Sequence, residues 1–324
     1  MDIKRLNNDR ITAFLTSHEK QHRLLAPVLL PDGTRSLGML SDGPLALAGG
    51  PLPAKPTAAF FPQHATILGS PDSPDKPLLV IGFTSRDLAC LAFIDRFFAD
   101  APADDIYCRA RCAAIVIGLS GYCGVNGQLL PLADGGCDLE LVCDGSDWLV
   151  LSYTEAGERL SAPLPDADDS VRERLEAMRR EGKREQEEGD EMIRRAAAII
   201  QADGVPDDFW NHVGDRCIAC TGCNLVCPTC TCFGVQDWRY AKGVERSRMW
   251  DSCQLEGFMR EASGHNPLAS EAQRTRRRIH HKLAADLQRW GEISCFVCGR
   301  CDMACPTGIG IQAVAREIVG RFGG

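Results

Sequence analysis

No apolar run in the chain approaches the roughly 18 to 20 residues needed to cross a bilayer, and no apolar stretch follows the basic residues of the opening "MDIKRLNNDR". The expectation is a cytoplasmic protein with neither a secretory leader nor a membrane span. Also lacking are a GxGxxG turn after a strand, a P-loop and a Ser/His/Asp set, so no reaction centre of a familiar kind is legible. Nor is positive charge in excess: 36 Lys+Arg stand against 44 Asp+Glu, a net −8, which makes nucleic acid a poor partner.

What the chain has in abundance is cysteine. Seventeen in 324 residues is far above the usage of an ordinary enzyme, and in a chain of this size without a leader they argue for metal rather than disulfides. Six (Cys90, Cys108, Cys112, Cys123, Cys137 and Cys143) are scattered, whereas eleven lie between Cys217 and Cys305. The charge is divided too: residues 204–324 hold 15 Lys+Arg against 13 Asp+Glu, leaving 21 against 31 for residues 1–203.

Length and an ordinary composition, 44% hydrophobic and 25% charged, predict a folded protein of two domains. A short polar helix is expected near residues 2–21. Two strands follow around the Pro-Asp-Gly turn of "RLLAPVLLPDGTRSLGML". "PLLVIGF" (77–83) and "AAIVIGL" (113–119) read as buried strands on either side of a helix in "SRDLACLAFIDRFF", where Leu88, Leu91, Ile94, Phe97 and Phe98 recur at helical spacing. "CDLELVC" and "DWLVLSYT" read as an exposed antiparallel pair. The glycines at 118, 121, 124 and 127 suggest a turn rather than a phosphate cradle, because Pro131 would interrupt a following helix early.

The predicted class is therefore α+β: a mixed α/β N-terminal domain over 1–165, a charged helical connector over 166–203, and a helical C-terminal domain over 204–324. In the connector Val171, Leu175 and Met178 recur at helical spacing, with interruptions expected near Gly182 and Gly189. In the last domain "RRRIHHKLAADLQRW", with Ile279, Leu283 and Leu287 in one stripe, and "GIQAVAREIVGRF" predict two helices.

Two runs give this last domain its chemistry. "CIACTGCNLVCPTC" and "CFVCGRCDMACP" both contain CxxCxxCxxxCP. In such a loop three thiolates curl about one face of a [4Fe-4S] cube, and in two-cluster ferredoxins the fourth cysteine of each run serves the other cube. Cys217, Cys220, Cys223 and Cys305 are assigned to one cluster, and Cys295, Cys298, Cys301 and Cys227 to the second. Zinc, which usually takes two separated CxxC pairs, and iron-free structural thiols are the alternatives. Cross-ligation requires the two runs to lie side by side. Pro228 and Pro306 turn the chain away after the crossing ligand.

Arg274, Arg276, Arg277, Arg278 and Lys282 could tune cluster potential or dock an acidic partner, with a solvated helix face as the plainer reading. His280 and His281 are not needed as ligands. Cys230, Cys232 and Cys253 read as small packed side chains, with a pocket lining, an extra metal or reactive thiols as the other possibilities.

Four segments in order, "CIACTGCNLVCPTCTCFGVQD", "RMWDSCQLEGFMREASGHNP", "RRRIHHK" and "CFVCGRCDMACPTGIGI", resemble a family of iron–sulfur subunits. That family is typified by the beta subunit of cytoplasmic sulfhydrogenases and by the iron–sulfur component of anaerobic sulfite reductase. The resemblance extends more weakly forward through "AAFFPQHATIL", "IGFTSRDLACLAFIDRFF" and "YCRARCAAIVIGL". It implies a hetero-oligomeric electron-transfer subunit, relaying electrons between a flavin- and NAD(P)-binding partner and a catalytic partner with a nickel–iron site or a sirohaem. An iron–sulfur redox sensor or scaffold is the alternative from another class. The chain departs from its relatives in the front domain, where "GFTSRDL" carries Arg86 and "GLSGYCGVNGQ" only Cys123. A further cluster that relatives hold there is expected to be absent, and a rebuilt one from Cys90, Cys108, Cys112 and Cys123 would have an unfamiliar spacing.

Overall fold

A computed structural model describes residues 3–69, 76–241 and 243–324. The chain divides into two compact units. One gathers residues up to Phe61 and from Lys76 to Gln186; the other gathers Pro62 to Gly69 and Glu187 to Gly324.

In the first unit, β1 (Ile3–Leu6) and α1 (Ile11–His18) open the chain, so the expected single helix is a strand followed by a shorter helix. β2 (Arg23–Leu29) and β3 (Arg35–Gly38) form the hairpin at the Pro-Asp-Gly turn. β4 (His64–Leu68) belongs to the other unit. β5 (Leu78–Phe83), α2 (Ser85–Ala99), α3 (Asp105–Cys112) and β6 (Ile115–Gly121) make the strand–helix–strand core, and β7 (Leu139–Cys143), β8 (Trp148–Ser152) and α4 (Glu155–Ser161) complete it. The sheet order is β1-β8-β7-β6-β5-β2-β3, parallel from β2 through β7 and antiparallel at its edges. Thr84 and Asp87 cap α2 reciprocally, each side chain accepting the other's backbone N–H.

The β7–β8 pair is buried rather than exposed. Leu139, Leu141 and Val150 pack with Ile11, Leu15 and Leu160 on one face, while Val142, Leu149 and Leu151 meet Val171, Leu175 and Met178 on the other. A strand covered on both faces loses its polar alternation, and the one polar side chain, Glu140, is fully satisfied. Its carboxylate accepts from Ser120 Oγ at 2.6 Å, Tyr153 OH at 2.7 Å and Ala133 N–H at 2.8 Å.

The connector is one unbroken helix, α5 (Val171–Gln201), whose two ends belong to different units. Gly182 does not interrupt it. A Cβ there would lie 2.9 Å from the Cα of Pro131, so the glycine allows close approach of a neighbouring segment. Beyond Gln186, Ile193, Ala196, Ala197 and Ile200 enter the second core.

That core also receives α6 (Asp207–Asp215), α8 (Glu271–His280) and α11 (Ile311–Phe322) through Phe209, Trp210, Val213, Ile279, Val314 and Ile318. Two short helices, α7 (Gly222–Leu225) and α10 (Arg300–Ala304), follow the cysteine loops. The unit is not wholly helical. β9 (Phe233–Tyr240) and β10 (Gly243–Trp250) form a hairpin that β4 extends, in the order β4-β10-β9. The helix expected through Trp290 is interrupted by a π turn (His281–Ala285) before α9 (Asp286–Trp290), so Ile279 and Leu283 are buried while Leu287 is only half-buried.

Candidate iron–sulfur centre

The two cysteine loops repeat each other in backbone as well as sequence. Two residues after the leading cysteine, Ala219 (φ 52°) and Val297 (φ 55°) are left-handed; two further on, so are Thr221 (φ 63°) and Gly299 (φ 76°). Left-handed non-glycine residues cost energy and persist where a site imposes them. Alternating hand along a short stretch turns successive N–H groups toward one concavity, which suits an anion. Each loop then enters its short helix, α7 or α10, and leaves at the fourth cysteine, Cys227 or Cys305.

One cleft is lined by Cys217, Cys220, Cys223 and Cys305, with Gln254 and Arg278. Three of these thiols come from the first run and one from the second. Around the other set, the ionisations of Cys295 and Cys301 are linked by charge to Cys227 of the opposite run. Backbone donors reach the sulfurs too: Ile309 N–H lies 3.4 Å from Cys305 Sγ and Ile311 N–H 3.5 Å from Cys301 Sγ. Asp302 fixes this neighbourhood by capping α11, accepting from Gln312 N–H at 3.3 Å and Ala313 N–H at 2.9 Å. A Cβ on Gly310 would lie 2.4 Å from the Cα of Asp302, so only glycine fits there.

The basic helix face is not solvated. Arg274, Arg278 and Lys282 are buried, and only Arg276 and Arg277 point outward. Arg278 donates to Ile309 O at 3.0 Å. Burial would lower its pKa, but the charges of Cys223, Cys301, Cys230 and Cys227 outweigh this and raise it. Lys282 Nζ donates to Thr229 Oγ1 at 2.7 Å, and Thr229 donates in turn to Ser294 O at 2.7 Å. Its pKa is likewise raised against burial, by Cys227 and Cys230 first. Burial pushes the Cys295 thiol up to about 12.

Among the described residues the second unit buries five cations (Arg248, Arg274, Arg278, Lys282 and Arg300) and a single carboxylate, Asp286. Buried charge of one sign requires partners of the other. Arg274 pairs with Glu271 at 2.6 Å, whereas the charges beside Arg278 and Lys282 are those of the cysteines. Clusters held by four thiolates carry net negative charge, so the donor set, the N–H groups and these two cations fit two [4Fe-4S] groups.

The scattered cysteines belong to the first unit. Cys90 is buried on α2, Cys123 donates to Ser120 O at 3.2 Å, and Cys108 donates to Phe98 O at 3.8 Å. Among the described residues no three His, Cys, Asp or Glu side chains are grouped to share a single metal ion. His281 pairs with Asp286 at 3.2 Å. Gln254, Asn224 and Thr229 contact cysteine sulfurs without any periodic or spacing signal in the sequence that would distinguish them.

The repeated loop backbone and the cysteine pattern fit a domain that holds two iron–sulfur clusters. Comparison with known proteins agrees: a family model described as a 4Fe-4S dicluster domain matches residues 216–309. The chain is also 29% identical over 251 residues to sulfhydrogenase 2 subunit beta of Pyrococcus furiosus, covering 75% of each chain. No solved structure matches. Among the described residues no helix is long and apolar enough to cross a membrane.

Proposed function

We propose that the chain is the electron-relay subunit of a cytoplasmic multi-subunit oxidoreductase. Cys217, Cys220, Cys223 and Cys305 hold one [4Fe-4S] cluster, and Cys295, Cys298, Cys301 and Cys227 the other. Single electrons pass between a flavin- and NAD(P)-binding partner and a catalytic partner of hydrogenase or sulfite-reductase type. The similarity to a sulfhydrogenase beta subunit supports a catalytic partner of hydrogenase type.

The observation that carries the reading is the pair of buried cations, Arg278 and Lys282, beside eight thiols in paired loops. Once bound, such clusters supply one-electron storage at low potential. The chain's own residues set the conditions: Arg278 and Lys282 offset negative charge, the left-handed loops aim N–H groups, and Ile279, Leu283 and Val314 exclude water. Cys220 is exposed, with exposed apolar Ile218 (62%) and Leu225 (38%) nearby in sequence and Met303 (66%) two residues before Cys305, which suits contact with a redox partner at the first cluster.

Protein purified without oxygen should be brown, contain about eight irons per chain and bleach with dithionite. A flavoprotein and a catalytic subunit should copurify. Colourless protein containing zinc would overturn the reading, and an iron-replete monomer that copurifies with no redox partner would favour a sensor.

A further inference from the structure

Cys232 and Cys253 belong to neither ligand set, yet they are not isolated. Cys232 immediately precedes β9, and Cys253 follows β10 by three residues. The hairpin register places Phe233 opposite Trp250, and Asp251 N–H donates to Cys232 O at 3.0 Å, so the two chain ends are held together at the base of the ribbon. There the Cys232 and Cys253 side chains are neighbours, each the first influence on the other's ionisation. Asn224, adjacent in sequence to Cys223, donates its amide to Cys253 Sγ at 3.1 Å, and its Oδ1 lies 3.6 Å from Cys223 Sγ. One side chain thus joins a proposed cluster ligand to this pair.

We propose that Cys232 and Cys253 form a redox-active dithiol–disulfide couple serving the first iron–sulfur cluster, joined to it through Asn224. The proposal rests on the cluster reading above. Both cubes already have four thiols from the paired runs, and no third group joins Cys232 and Cys253 to hold a single ion among the described residues. A disulfide, by contrast, needs its sulfurs adjacent and its chain segments clamped.

The chemistry balances within the molecule. Reduction breaks the Cys232–Cys253 S–S bond; two electrons arrive singly from donors of the iron–sulfur class, and one proton from water goes to Cys232 while Cys253 remains thiolate. Oxidation reverses this: the thiolate sulfur bonds to Cys232 Sγ, two electrons leave singly and the proton is lost. Two one-electron clusters match one two-electron couple. The thiols also differ as attacking and resolving sulfurs must. The neighbouring Cys232, followed by Asn224, Gln254 and the charge of Arg278, outweighs burial and lowers the Cys253 pKa to about 5, while the Cys232 thiol is pushed up by Cys253 and by burial.

The test uses full-length holoprotein poised anaerobically at a series of potentials, quenched in acid, unfolded, and labelled with N-ethylmaleimide. Peptide masses, iron content and cluster absorbance are read on the same samples. Under oxidising poise both thiols should lose label together, in a cross-linked peptide joining 232 to 253. C232S should leave Cys253 labelled at every poise, C230S should retain the cross-link, and C232S and C253S should keep their iron. Cysteines that stay fully labelled at every poise while the clusters bleach and recover would overturn the couple alone. Iron lost in C232S or C253S would make them cluster ligands and overturn it as well. Wild-type protein that holds no iron after reconstitution would instead bring down the cluster reading.

Discussion

Replacing Arg278 by glutamine removes a buried charge while keeping a side chain able to hydrogen-bond. Arg278 is 4% exposed, lines the cleft of Cys217, Cys220, Cys223 and Cys305, and bonds the Ile309 carbonyl. Reduction adds negative charge, so a nearby cation stabilises the reduced state and its removal must lower the potential. At a separation of about 7 Å and an effective dielectric constant of about 20, one unit charge is worth about 2.4 kcal/mol. With 59 mV per tenfold for one electron, this corresponds to a fall of about 100 mV. Losing the bond to a buried carbonyl costs a further ~1–3 kcal/mol of stability if glutamine cannot reach it. Redox titration followed by electron paramagnetic resonance separates the two effects. R278Q should show the lowered midpoint with both clusters present, and R278K should restore most of it. Midpoints unmoved in R278Q at full iron content would refute the electrostatic argument.

Lys282→Met should lower the potential of the second cluster more than the first, because Lys282 is raised by Cys227, Cys230 and Cys295, and the same titration resolves the two. Gly214→Ala should destabilise the second unit by ~1–3 kcal/mol through overpacking, since the new Cβ would lie 2.5 Å from the Cα of Ala272 on α8; chemical unfolding measures it. Ile218→Asp combined with Met303→Glu should slow electron entry from copurifying partners and leave iron content unchanged, as stopped-flow bleaching would show; an unchanged rate would exclude this rim. Burial, then the charge of His22, lowers the His18 pKa. As pH falls below about 6.5 the unfolded chain takes up this proton before the folded one, so stability is lost from there down to the lowered folded pKa. H18Q should flatten that acid-side loss in thermal unfolding, and an unchanged profile would count against it.

Parts with local periodicity are legible in the sequence. β5, α2 and β6 lie where alternating turns and apolar runs place them, because each is a short buried element bounded by Gly, Pro or a cap. The paired loops are equally plain, since the spacing CxxCxxCxxxCP is itself the geometry of a curled backbone. β7 and β8 read as exposed for a tertiary reason: α5 covers their second face, and nothing in "CDLELVC" reports a helix that begins 28 residues after Cys143. Gly182 misleads similarly, because a glycine needed for close approach and a glycine that breaks a helix look alike until Pro131 is seen beside it.

The basic helix marks the deeper limit. In "RTRRRIHHK" every cation is the same kind of letter, and helical spacing alone sorts them into faces without saying which face has water. A buried arginine is normally too costly to expect, so the solvated reading follows from ordinary desolvation energies. Glu271 offsets that cost for Arg274, whereas a large anion in the interior would offset it for Arg278 and Lys282. The information that inverts the reading therefore lies outside the helix, in the cysteine loops that would bring iron and sulfide. Arg278 and Lys282 become interpretable only when the loops and the helix are considered as one electrostatic unit. The thiolates tolerate burial because the cations are there, and the cations tolerate it because the thiolates are. Removing iron should therefore leave this core destabilised from both sides, with a loss of helix α8 and π-turn protection in hydrogen exchange that exceeds the loss in the seven-stranded sheet.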